Sequence, residues 1–104
     1  MAIAPTSTGF IEDSQGLYIN KDPAAKKAYS IDWGPFLDGD IIDTMLWTVE
    51  DGLTVVNQAK TDTTTIIEVS GGEPGKAYVC TCHIKALTSE LEDEFSFRVA
   101  IRDQ

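Results

Sequence analysis

The chain has one histidine, two cysteines, eight lysines and arginines together and no long apolar run, and each shortage closes off a class of function. His83 is the only ordinary general base, and no local nucleophile motif accompanies the Ser and Asp residues. A catalytic triad is hard to assemble from this set, so neither catalytic residues nor enzyme activity is expected. The eight cations are set against 17 acidic residues, for a formal net charge of -9. Binding a phosphate backbone needs clustered Lys and Arg, so nucleic acid is not an expected partner. Apolar runs fall far short of the ~20 residues that span a bilayer, and no membrane partner is expected. The segment Met1-Ala2-Ile3-Ala4-Pro5-Thr6-Ser7-Thr8 lacks the basic start and apolar stretch of a signal peptide. The expectation is a protein made and kept soluble in a cytoplasm, or delivered inside a larger particle.

The two cysteines agree with that setting. Cys80 and Cys82 lie two apart on one predicted strand, facing the same way, with Cα atoms about 6.5 to 7 Å apart, at or beyond the reach of a disulfide. Both are read as buried reduced thiols. Zinc is not expected, because His83 falls on the opposite face from the two thiols and a fourth ligand is missing. Asp38, Asp40 and Asp43 crowd one Gly-containing loop, but the spacing of a calcium loop and its closing Glu are absent, and a solvated turn is the reading. Gly71-Gly72-Glu73-Pro74-Gly75 lacks the Lys-Ser/Thr ending and following helix of a phosphate cradle, so no cofactor is expected.

What is present is a β pattern. At 104 residues, 42% hydrophobic and 24% charged, the chain suits one ordinary globular domain. The turn Gly71–Gly75 feeds an alternating run containing Gly75-Lys76-Ala77-Tyr78-Val79-Cys80. A Tyr two residues before a Cys, just after a tight corner, matches the tyrosine corner of immunoglobulin-like sandwiches, whose phenol bonds back to the backbone upstream. Period two recurs elsewhere. Tyr29, Ile31 and Trp33 share a face, as do Met45, Trp47 and Val49, while Thr63 to Ser70 is β-branched nearly throughout. Tyr78, Cys80, Cys82 and Ile84 point inward, with Val79, Thr81, His83 and Lys85 outward. Phe95, Phe97, Val99 and Ile101 alternate with Ser96, Arg98, Ala100 and Arg102. Asp51-Gly52 is a reversal signal, predicting a hairpin over 47–56 followed by a polar loop over 57–62. Residues 34–40 and 87–93 are predicted loops.

The fold predicted is all-β, an immunoglobulin-like sandwich of about seven antiparallel strands over 25–104, preceded by an extended arm over 1–24. The expected core is Tyr29, Ile31, Trp33, Trp47, Val49, Ile67, Val69, Tyr78, Cys80, Cys82, Phe95, Phe97 and Val99. Trp47 is its large central plug, and its indole N–H requires a partner. Within the arm, Phe10, Ile11, Leu17, Tyr18 and Ile19 are too apolar for a free linker. They are expected either to cover an open edge of the sandwich or to form a partner interface on a neighbouring subunit.

A longer pattern adds context. Lys21-Asp22-Pro23-Ala24-Ala25 leads to Tyr29-Ser30-Ile31-Asp32-Trp33, then Phe36-Leu37, Gly39-Asp40, Trp47-Thr48-Val49 and Gly52-Leu53-Thr54-Val55, and the second half carries Ser70 to Tyr78. Over roughly residues 21 to 101 this resembles the fiber-tail adaptor family of tailed bacteriophages. The chain departs from the family's Thr-x-x-Gly turn at Thr88-Ser89-Glu90-Leu91-Glu92-Asp93. The resemblance implies a non-enzymatic virion structural protein linking tail, fiber or neighbouring particle components, made in the host cytoplasm and present in multiple copies of a symmetric assembly. Capsid decoration and a stand-alone recognition module, binding host protein or glycan through the loops at 34–40 and 87–93, are the alternatives.

Overall fold

The computed structural model describes residues 4–5 and 10–102, the first pair by backbone alone. Residues 1–3, 6–9 and 103–104 lie outside the described residues, and with them most of the leader segment and part of the predicted arm. Nine strands are described: β1 (Ala4–Pro5), β2 (Ile11–Asp13), β3 (Gly16–Lys21), β4 (Lys26–Asp32), β5 (Ile42–Val49), β6 (Leu53–Lys60), β7 (Thr64–Gly71), β8 (Ala77–Ala86) and β9 (Glu92–Ile101), with a one-turn helix α1 (Gly34–Leu37) between β4 and β5. They form a four-stranded sheet ordered β1-β4-β7-β6 and a five-stranded sheet ordered β2-β3-β9-β8-β5. Among the described residues no helix is long and apolar enough to cross a membrane.

The alternation read from sequence places one face of each long strand between the sheets. Along β8 every second residue from Tyr78 to Ala86 is buried, and β7 buries Thr65, Ile67 and Val69. Eleven of the expected core residues are buried, including Trp33, Ile31, Ile67, Val69, Cys80, Cys82 and Val99 at 0% exposure. Val49 and Phe95 are only partly buried, packed against the core from its margin. Leu37, Ile42, Leu53 and Lys21 join the core without having been expected there. Phe97 is an aromatic hub, meeting Phe10, Tyr29 and Trp47 edge-on at centroid distances of 5.2, 5.8 and 6.1 Å. Of the two tryptophans it is Trp33 that finds a partner, its Nε1–H donating to Thr65 Oγ1 at 2.8 Å. Trp47 Nε1 is buried with no hydrogen-bond partner.

Four expectations are corrected. The strands are not all antiparallel, since β3 runs parallel to β9, with Tyr18 to Lys21 beside Arg98 to Ile101. Residues 47–56 are not a hairpin: β5 pairs with β8 and β6 with β7, so the Asp51-Gly52 turn carries the chain from one sheet to the other. Gly52 makes that passage at φ +112, and a Cβ there would lie 2.6 Å from the Tyr78 ring. Asn57 to Lys60 continue β6 rather than forming a loop. Alternation fails as a signal there because β6 is an edge strand exposed on both faces, which leaves no reason for every second residue to be apolar. Gly34 to Leu37 close a helical turn instead of a loop, with Leu37 N–H donating to Trp33 O at 3.0 Å and Asp38 capping it in the left-handed conformation.

Candidate functional site

The two ends of the sandwich are built differently. At one end, Tyr78 Oη accepts the Glu73 N–H at 3.0 Å, which is the corner geometry the sequence announces. Glu50 Oε1 takes the Val79 N–H at 2.7 Å. Lys21 is buried, and its Nζ donates to Gly71 O at 2.7 Å and Asp22 O at 3.0 Å. Among the described residues no carboxylate bonds this ammonium, and burial pushes its pKa below the usual lysine range. The buried Lys21 thus ties the end of β3 in one sheet to the end of β7 in the other.

At the other end, α1 and the turn after it face the β8–β9 loop. Asp40 joins them: its carboxylate accepts N–H groups from Ile41 at 2.8 Å, Thr88 at 3.1 Å and Ser89 at 2.8 Å. The Ser89 bond, with those from Ile41 and Thr88, holds the Asp40 carboxyl down at about 2. Both carboxylate oxygens are therefore occupied by backbone. Among the described residues no group of three or more His, Cys, Asp or Glu is arranged to hold a metal ion.

Between the two loops lies an open cleft of ≈ 540 Å³, lined by residues 36–40 on one side and by Thr88, Ser89 and Leu91 on the other. Leu91 is 60% exposed and Leu87, at the lip of the same loop, 50% exposed. Around them stand Glu90, Glu92 and Glu94; Lys85 pairs with Glu90 at 3.5 Å, and His83 lies 2.7 Å from Glu92 and 3.9 Å from Glu94. Exposed leucines ringed by carboxylates form a surface suited to contact with a protein carrying apolar and basic groups. It offers no nucleophile–base pair. The role of Asp40 and the exposure of the two leucines are what sequence reading missed, and the available signal was leucine twice within an otherwise polar and acidic loop.

The five arm residues expected at a partner interface are mostly engaged within the chain itself. Ile19 is buried, and Phe10 and Leu17 pack against the core. Leu17 and Ile19 lie on β3, which is hydrogen-bonded into the five-stranded sheet, and Phe10 meets Tyr29 and Phe97 edge-on, contacts of the kind expected where the arm covers its own sandwich. Tyr18 points outward under the Arg98 guanidinium, 5.3 Å from the ring centre, and Arg98 also bonds Asp13 of β2, holding its carboxyl below the usual range. Of the five, only Ile11 stands exposed, at 45%. Cys80 and Cys82 are free and buried, and burial pushes their thiols up to about 12 and about 11.

A family model described as podophage GP4 fiber-tail adaptor protein gp77 matches residues 21–100. No curated protein sequence gives a significant match. The matched span runs from the buried Lys21 through the cleft loops to the end of β9, and the chain belongs to this family of phage structural adaptors.

Proposed function

We propose that this adaptor is a non-enzymatic, immunoglobulin-like module that joins a tail component to a fiber in the virion, several copies per particle, with the cleft end as one docking surface. The family membership over residues 21–100 carries this reading. The immunoglobulin-like assignment is supported by strand order. Setting aside β2 and taking the remaining strands as A, A′ and B to G, the sheets read A-B-E-D and A′-G-F-C, with a buried Trp on the C strand and a tyrosine corner on the F strand. The cleft suits docking because its apolar tips, Leu87 and Leu91, lie on a loop pinned in place by Asp40, so little ordering entropy is lost when a partner seats on them.

Cross-linking and mass spectrometry of purified particles test this. Cross-links from Lys85, beside the cleft, to tail or fiber proteins are the expected result. Cross-links solely to the major capsid protein would turn the reading to decoration, and absence from the particle would turn it to a free recognition module. Binding through the acid-ringed cleft should also weaken as salt is raised, and an affinity indifferent to ionic strength would count against electrostatic docking there.

A further inference from the structure

Beyond the cleft, β6 is a long edge strand with little cover. Seven of its eight residues, all but Leu53, are exposed, and among the described residues it pairs as a strand with β7 alone, its one other tie being Lys60 Nζ donating to Ile42 O at 3.4 Å. An edge this long is a template for another strand, and edges are commonly blunted by proline or by charge. Leu53-Thr54-Val55-Val56-Asn57-Gln58-Ala59-Lys60 carries no proline and a single charge, at its last residue. Val55 and Val56 are 37% and 46% exposed at its middle, where the register steps from Val55↔Val69 to Asn57↔Glu68 and leaves Val56 without an opposite residue on β7.

Charge selects the occupant. In a molecule of net charge -9, most of the surface repels a second copy, but β6 is a lane without carboxylates, bounded by Asp51 before it and Lys60 at its end. Parallel self-pairing would set like charges side by side. Antiparallel self-pairing brings each Lys60 next to the other copy's Asp51. The nearby acids do not oppose this: Glu50 is engaged by the Val79 N–H, and the tight turn closed by Thr61 N–H on Thr64 O bends the chain at Asp62.

We propose that β6 is a self-pairing edge, through which two copies of the chain join antiparallel about a twofold axis between Val55 and Val56, making one continuous sheet of their two four-stranded sheets. In that register Val55 lies opposite the other copy's Val56, and Lys60 lies opposite its Asp51. The exposed valines meet at the axis and the two bulges coincide, so the registers stay in step. Such an isologous contact makes each adaptor unit a pair, independent of what the cleft binds.

Sedimentation equilibrium of the full chain, from roughly 10 μM to 1 mM, tests this together with hydrogen exchange of the β6 amides over the same range. The expected result is a reversible monomer–dimer equilibrium, with β6 protection rising as the dimer fills. Val56→Lys, which puts two cations at the axis, should leave monomer at every concentration. Lys60→Asp or Asp51→Lys alone should weaken the dimer by roughly three- to tenfold, and the two together should restore it. Melting curves establish that each variant is folded; if Val56→Lys fails to fold, the charge exchange and the amide protection decide. A wild-type chain that stays monomeric throughout would overturn the proposal, as would a dimer indifferent to both Val56→Lys and the charge exchange. Protection of β6 that arises only when other particle proteins are added would assign the edge to a partner's strand instead.

Discussion

The two ends of this sandwich use the same device, a side chain holding the backbone of a neighbouring segment, in opposite surroundings. At the corner end Tyr78 and Lys21 are buried, and the Lys21 bond ties the sheets together. At the cleft end Asp40 does the pinning from a solvated position, beside leucines left exposed on the loop it holds. A buried polar group stripped of its partner retains its desolvation cost, whereas an exposed one recovers water. The corner end is therefore committed to stability, and the cleft end keeps a defined shape at a surface another protein can cover.

Substitutions can break that contrast in order of expected size. Tyr78→Ala removes a buried aromatic and the corner bond, and should cost about 3–5 kcal/mol in denaturant unfolding. A loss under about 1 kcal/mol would show that the corner is not what holds this end together. Gly52→Ala should cost roughly 1–3 kcal/mol, from positive φ and from a Cβ driven into the Tyr78 ring, measured the same way.

Asp40→Asn addresses the cleft end through pH. The folded-state carboxyl titrates at about 2 against an ordinary 3.8, so its contribution is fully present above 3.8 and is lost as pH falls from there through 2. Melting temperatures taken between these limits should fall more steeply for the wild type than for Asp40→Asn; parallel curves would remove Asp40 as the pin. Leu91→Asp should have the smallest effect on stability, within about 0.5 kcal/mol, while weakening binding to purified tails or fibers. Unchanged binding would move the docking surface elsewhere.

How much of this was legible in the chain differs by element. Tyr78 could be placed because a tyrosine corner is local: the Gly/Pro turn, the Tyr and the Cys are consecutive and the bond spans five residues. Trp47 could be placed on an inward face by alternation, but its lack of a partner could not, since whether Thr65 Oγ1 serves Trp33 or Trp47 depends on how two sheets meet. Nothing in the local sequence marks Lys21 for burial. Its burial follows from β3 lying against β9 and ending where β7 ends, at Gly71. The cleft was half legible: both its loops were marked as possible recognition elements, while the Asp40 bonds that join them span 48 and 49 residues.

The sequence by itself determined that β4, β5, β7, β8 and β9 are strands, which face of β4, β7, β8 and β9 is apolar, and where the sharp corner falls. Those follow from side-chain sterics, period-two alternation and turn chemistry acting over a few neighbouring residues. Tertiary structure decided that β5 and β6 part into different sheets, that β3 runs parallel to β9, and that β6 is left as an open edge. Strand pairing is a contest among distant segments, settled by the burial of one shared core, and local spacing holds no record of its outcome.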